Sequence, residues 1–188
     1  MKNIAIFASG NGSNFEAVAL ACKNGEINAR AVLLICDKPD AVVIKRAKNL
    51  NIPVFVCSPA AFPTRAAHEG HILDALDDTG IDFIVLAGYM RIIGKPILDE
   101  YEGRIVNIHP SLLPAFPGLD AIKKAFESGV SQTGVTVHYV DAGVDTGPII
   151  AQKPVDILPG DTLENLEARV HETEHRLYVS VLREIFAL

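Results

Sequence analysis

Cysteine is scarce in this sequence, basic residues are outnumbered, and no apolar run is long enough to cross a membrane. Only Cys22, Cys36 and Cys57 occur, an odd set with no Cys-x-x-Cys pairing, placed in or beside apolar segments. That pattern argues against a disulfide framework or a zinc knot and fits free thiols in a reducing compartment. Lys and Arg number 17 against 23 Asp and Glu, for a formal charge of -6. A grip on nucleic-acid backbone needs clustered basic residues, so no nucleic-acid partner is expected, while a local anion site stays open. The apolar start, Ile4 to Ala8, stops at Ser9-Gly10, too short for a signal-peptide core with a cleavage site. With no run near the roughly 20 residues of a membrane span, the expectation is a soluble cytoplasmic protein that does not touch membranes. Repeats, low-complexity stretches and linkers are also lacking. The 188 residues, 49% hydrophobic, therefore read as one domain, 1–188, with a sizeable core.

What is present is an alternation of short apolar runs with longer amphipathic ones. Asn3 to Ala8, Ala29 to Cys36, Val54 to Cys57, Asp82 to Ala87 and Ile105 to Ile108 read as buried strands of a parallel sheet. Asn14 to Lys23, Asp40 to Asn49 and Arg65 to Asp78 read as helices between them, which is the rhythm of an open α/β sheet. Gly134 to Val140 and Pro148 to Val155 have no helix between them and predict an antiparallel ribbon at the sheet edge, joined by a glycine-containing loop. A long helix from Thr162 to about Phe186 closes the chain, with Leu163, Leu166, Val170, Leu177, Val181 and Ile185 at spacings of three and four. The fold class expected is a single-domain α/β protein with an open, mostly parallel sheet flanked by helices.

In such sheets the loops after the strands carry the chemistry. Ser9-Gly10-Asn11-Gly12-Ser13-Asn14 offers a tight turn and uncovered backbone N–H groups at a helix start, a cradle for an anion. Turn and cap preferences alone also explain Gly, Ser and Asn there. Asn107-Ile108-His109-Pro110-Ser111-Leu112-Leu113-Pro114 sets an amide and an imidazole two residues apart at a strand end, hence on one face, before a loop stiffened by two prolines. Asp145, in the loop between the ribbon strands, is the best placed carboxylate to reach His109 and favour its cation. A cationic imidazole beside an amide donor forms an oxyanion well, which fits acyl transfer. Ser111 lacks the Gly-x-Ser-x-Gly setting of a nucleophile, so direct attack by the acceptor is favoured over a covalent intermediate.

Two rivals share these segments. Gly10-x-Gly12 with Asp37 opens a dinucleotide-binding fingerprint, but Phe15 stands where its third glycine belongs. His171-Glu172-Thr173-Glu174-His175 has the spacing of a zinc-protease helix, yet no third ligand is spaced to complete it, and a solvated helix face explains it more simply.

The Asn107 to Pro114 run, with Asp145 in Val144-Asp145-Thr146-Gly147-Pro148, closely resembles the formyltransferases that use 10-formyltetrahydrofolate. Within that family, the loop Gly10 to Asn14, the run Ala87-Gly88-Tyr89-Met90-Arg91-Ile92 and the pair Glu174-His175 resemble the branch that formylates phosphoribosylglycinamide in purine synthesis. The resemblance spans nearly the whole chain. It implies that Asn107, His109 and Asp145 surround the formyl carbon, that Gly12, Ser13 and Asn14 hold the substrate phosphate, and that Glu174 meets the ribose. It further implies folate contacts from Arg65, Met90, Arg91, Ile92, Ile93, Val140, Asp141 and Val144. The implied co-substrate is 10-formyltetrahydrofolate, with no metal, small-molecule partners only, and a monomer or homodimer. Ala115 and Asp120 depart from the basic residue and the histidine common at those places in the family. A formyltetrahydrofolate hydrolase, a formyltransferase acting on another amine, and a non-catalytic nucleotide-binding module are the alternatives.

Overall fold

The computed structural model describes residues 1–187. In chain order the elements are β1 (Lys2–Ala8), α1 (Ser13–Lys23), β2 (Ala29–Cys36), α2 (Val42–Asn49), β3 (Val54–Val56), α3 (Arg65–Asp78), β4 (Phe83–Leu86), α4 (Lys95–Glu100), β5 (Ile105–His109), α5 (Ala121–Glu127), β6 (Gln132–Tyr139), β7 (Ile149–Asp156) and α6 (Leu163–Ile185). The seven strands form one sheet in the order β3-β2-β1-β4-β5-β6-β7. Pairing is parallel from β3 to β5 and antiparallel across β5, β6 and β7, so the predicted edge ribbon is present.

The alternation of side chains across β1 builds two cores. Ile4, Ile6 and Ala8 pack with α1, α2, α5 and α6, while Ala5 and Phe7 pack on the opposite face with Ile72 and Leu76 of α3 and Ile97 of α4. Helices on both faces explain why β1 is continuously apolar rather than alternating. Thr64 and Thr162 start α3 and α6 by accepting the N–H groups of Ala67 and Asn165, at 3.1 and 3.2 Å. Among the described residues no helix is long and apolar enough to cross a membrane.

The structure departs from the sequence reading in three places. β3 is an edge strand, half-buried to exposed rather than buried, because only β2 pairs with it. α2 begins at Val42 instead of Asp40, since Ala41 is extended and the Val43 N–H is tied to the Gly10 carbonyl at 3.0 Å. α4 and α5, with six and seven residues, were not foreseen, being too short to develop an apolar period. α4 supplies the crossover between β4 and β5.

β1 lies between β2 and β4, so the chain leaves it in opposite directions, and a crevice opens beyond the carboxyl ends of β1 and β4. Fully buried Tyr178 of α6 braces that crevice from beneath, its hydroxyl 2.7 Å from the Leu86 carbonyl and 3.2 Å from that of Val106.

Candidate active site

The crevice holds a cavity of about 670 Å³, bounded by the loops after β1, β4 and β5, the loop between β6 and β7, and one face of α6. Every residue that the family resemblance assigns to the site lines it except Arg65.

At one end, Gly12 adopts φ 79°, and a Cβ on it would lie 2.4 Å from a Val43 methyl, so only glycine lets the turn pass under α2. α1 then starts with no side-chain cap, and its first residues, Ser13 and Asn14, line this end of the cavity. The turn is rigid. Arg46 donates to the Asn11 carbonyl at 2.9 Å and to Asn11 Oδ1 at 3.0 Å, and is itself paired with Glu16. Buried Glu174 lines the same end, its Oε2 2.6 Å from His171 Nδ1. That bond raises the His171 pKa above its ordinary value, against the opposing effect of burial.

The centre is built on β5. Asn107 and His109 share a face as their spacing required, and both line the cavity. His109 Nε2 donates to the Phe116 carbonyl at 2.9 Å, and Nδ1 lies 3.4 Å from Asp145 Oδ2. The ring thus lies between the Phe116 carbonyl and the Asp145 carboxylate, which fix its orientation. Asp145 also accepts the Gly118 N–H at 2.8 Å and has His138 Nε2 3.6 Å from its other oxygen. The His138 imidazole, above all, holds the Asp145 carboxyl below the usual range; burial opposes it, and the Gly118 N–H and the nearby His109 add to it. Asp145 sits at φ 54°, a left-handed conformation that Asp tolerates better than most residues.

Sequence reasoning alone does not reach His138. It lies on β6 directly opposite Asn107, 3.3 Å from the amide, and the ring is oriented by Nδ1 donating to the Tyr139 carbonyl at 2.8 Å. A β-bulge lies beside it, where the pairing of β6 with β7 slips between Val137 and His138, and such a bulge re-aims side chains locally. The available signal was the ribbon predicted at the sheet edge, but neither its partner strand nor its register could be read from one chain. His171 stands out in the sequence only as part of the zinc-like motif.

The loop after β5 is fixed by side chains of the ribbon. Thr136 Oγ1 donates to the Ser111 carbonyl at 2.7 Å and accepts the Leu113 N–H at 3.1 Å, while Gln152 Nε2 reaches the Leu113 carbonyl at 2.9 Å. Ser111 is fully buried and its hydroxyl is committed to the Ala115 carbonyl at 2.6 Å, so it is not presented as a nucleophile.

At the far end, Met90, Arg91, Ile92, Ile93, Val140, Asp141 and Val144 form a largely apolar mouth, with Met90 and Ile92 more than half exposed. Ser9 Oγ accepts the Met90 N–H at 2.8 Å, and Arg91 Nε pairs with buried Asp37 at 2.8 Å. Arg65 instead stands behind this wall, bonded to Glu69 and to the Ile92 carbonyl.

Both rival motifs come apart. Asp37 is engaged by Arg91 and does not line the cavity, and Phe15 is wholly buried in the core where a third glycine was needed. His171 faces the large cavity, whereas His175 lines a separate groove with Ala17 and Arg183, and Glu172 is paired with Arg176.

A cleft that brings an uncapped helix start, an imidazole–carboxylate pair, an adjacent amide and an apolar mouth together has the geometry of an α/β group-transfer enzyme. The chain belongs to the formyl transferase family, whose model matches residues 2–182. It is 53% identical, over its whole length and 96% of the relative's, to phosphoribosylglycinamide formyltransferase of Bacillus subtilis. It is 38% identical to the Escherichia coli protein of that name, covering 96% of this chain and 85% of that one. The crystal structure of glycinamide ribonucleotide transformylase 1 from Geobacillus kaustophilus superposes with a TM-score of 0.96 at 58% identity, covering 99% of both chains.

Proposed function

We propose that this enzyme transfers the formyl group of 10-formyltetrahydrofolate to the amine of 5'-phosphoribosylglycinamide, a step of purine biosynthesis. The observation that carries the mechanism is the Asp145 carboxylate 3.4 Å from His109 Nδ1, in one cavity with Asn107 and the Gly12 turn. Gly12, Ser13 and Asn14 receive the phosphate and Glu174 the ribose, which directs the glycinamide amine toward β5. The pterin side of the folate lies in the apolar mouth formed by Met90 to Ile93, Val140, Asp141 and Val144. The amine nitrogen attacks the formyl carbon, and its carbonyl oxygen takes up the electron pair. The Asn107 amide and the positive charge of His109, kept in place by Asp145, stabilise that oxyanion. As the oxyanion collapses, the bond from carbon to the folate nitrogen breaks, and the proton lost by the amine passes to that nitrogen through His109 or a water.

On this reading residues 1–188 work as a single formyltransferase domain in the cytoplasm, on small-molecule substrates and without a metal, as a monomer or homodimer. The test offers the pure protein 10-formyltetrahydrofolate with phosphoribosylglycinamide, a sugar amine, initiator tRNA or water. Formyl transfer to phosphoribosylglycinamide should exceed every other channel. Preferential release of formate, or transfer to tRNA or the sugar amine, contradicts the proposal.

A further inference from the structure

We infer that Glu69 is a positioning residue that sets the affinity for the folate co-substrate without touching either ligand. The inference deepens the proposed function and rests on the reading of residues 90–93 as the folate side.

Glu69 lies on α3, is buried, and does not line the cavity. Its Oε1 accepts two bonds, from the Gly94 N–H at 2.7 Å and from Arg65 Nε at 3.0 Å. Arg65 in turn donates to the Ile92 carbonyl. One carboxylate therefore fixes both Gly94 and, through Arg65, Ile92, the end of the segment that forms the cavity mouth. Fit confirms how closely the parts are matched: a Cβ at Gly94 would lie 2.5 and 2.6 Å from the two carboxylate oxygens, so glycine is what lets the acid approach. The second oxygen, Oε2, is buried without a protein hydrogen-bond partner among the described residues. Such a group is costly on a helix face that packs Ile72 and Leu76 into the core, where an apolar side chain would be cheaper to bury. Its gain lies in the wall it holds.

The same segment has two other anchors, Ser9 on the Met90 N–H and Asp37 on Arg91. Ser9 belongs to the turn that receives the phosphate, so its loss disturbs both ends of the cavity. Glu69 reaches only the folate end, and its effect should be selective.

The experiment measures steady-state kinetics, varying each substrate separately, for the wild type, Glu69→Ala, Glu69→Gln and Gly94→Ala, with thermal melting as the folding control. The folate KM should rise about tenfold or more in Glu69→Ala, the scale of one lost charge-assisted hydrogen bond. Gly94→Ala, which drives the carboxylate away, should give the same pattern, and Glu69→Gln a smaller rise. The kcat and the ribonucleotide KM should stay within roughly twofold of wild type. Should Glu69→Ala not fold, the isosteric Glu69→Gln decides. An unchanged folate KM, equal rises for both substrates, or a fall in kcat alone would overturn the inference. Absence of folate-dependent transfer by the wild type would instead overturn the functional reading beneath it.

Discussion

Asp145 gathers groups from three parts of the chain: it accepts the Gly118 N–H, and the imidazoles of His109 of β5 and His138 of β6 lie 3.4 and 3.6 Å from its oxygens. The sequence made Asn107 and His109 legible because a strand's period of two fixes their common face, and it made Asp145 legible as the acid of the adjoining loop. His138 was not legible, since which residue of β6 faces Asn107 depends on register and on the bulge beside Val137. The His171–Glu174 pair gives a pH test at this scale. Because Glu174 raises the His171 pKa, the pair stabilises the fold fully below the unfolded value of about 6.5, and that contribution is lost as pH rises through the higher folded value. Glu174→Gln should therefore lose more stability at about pH 5.5 than at about pH 9, by a modest amount because half of His171 is exposed. Urea unfolding at the two pH values measures the difference; an equal loss at both would show that the pair is not linked to protonation.

Among elements, the turn between β1 and α1 carries a steric and a conformational constraint at once. Gly12→Ala must place a Cβ against Val43 while holding φ 79°. Backbone strain and overpacking each contribute about 1 to 3 kcal/mol, so denaturant unfolding should show a loss of that order or their sum. The ribonucleotide KM should rise well above any change in the folate KM, because the turn and the first N–H groups of α1 shift together. A variant as stable as the wild type, with both KM values unchanged, would contradict that role for the turn. Long elements were readable from their periods, and α3 falls on its predicted residues, Arg65–Asp78. α4 and α5 were not, because a helix of one or two turns leaves no apolar period. The edge character of β3 also lay beyond sequence, since strand order is set by tertiary packing.

For the molecule as a whole, the reversal of strand order at β1 makes the crevice and brings together loops from distant parts of the chain. Tyr178 links α6 to the ends of β4 and β5 beneath it. Tyr178→Phe should cost about 0.5 to 1.5 kcal/mol in unfolding free energy, the net worth of a hydrogen bond, and more if the two carbonyls find no other donor. Its kcat should remain near wild type, because Tyr178 does not line the cavity; a large fall in kcat without loss of stability would mean that the brace acts on the chemistry.

On the proposed mechanism His109, Asn107 and the Asp145 carboxylate act together on one transition state. The most direct test is the single-turnover rate of formyl transfer by Asp145→Asn with both substrates saturating. The rate should fall about a hundredfold or more while both ligands still bind, as expected when an oriented, charge-stabilised donor is lost. A rate near that of the wild type would contradict it.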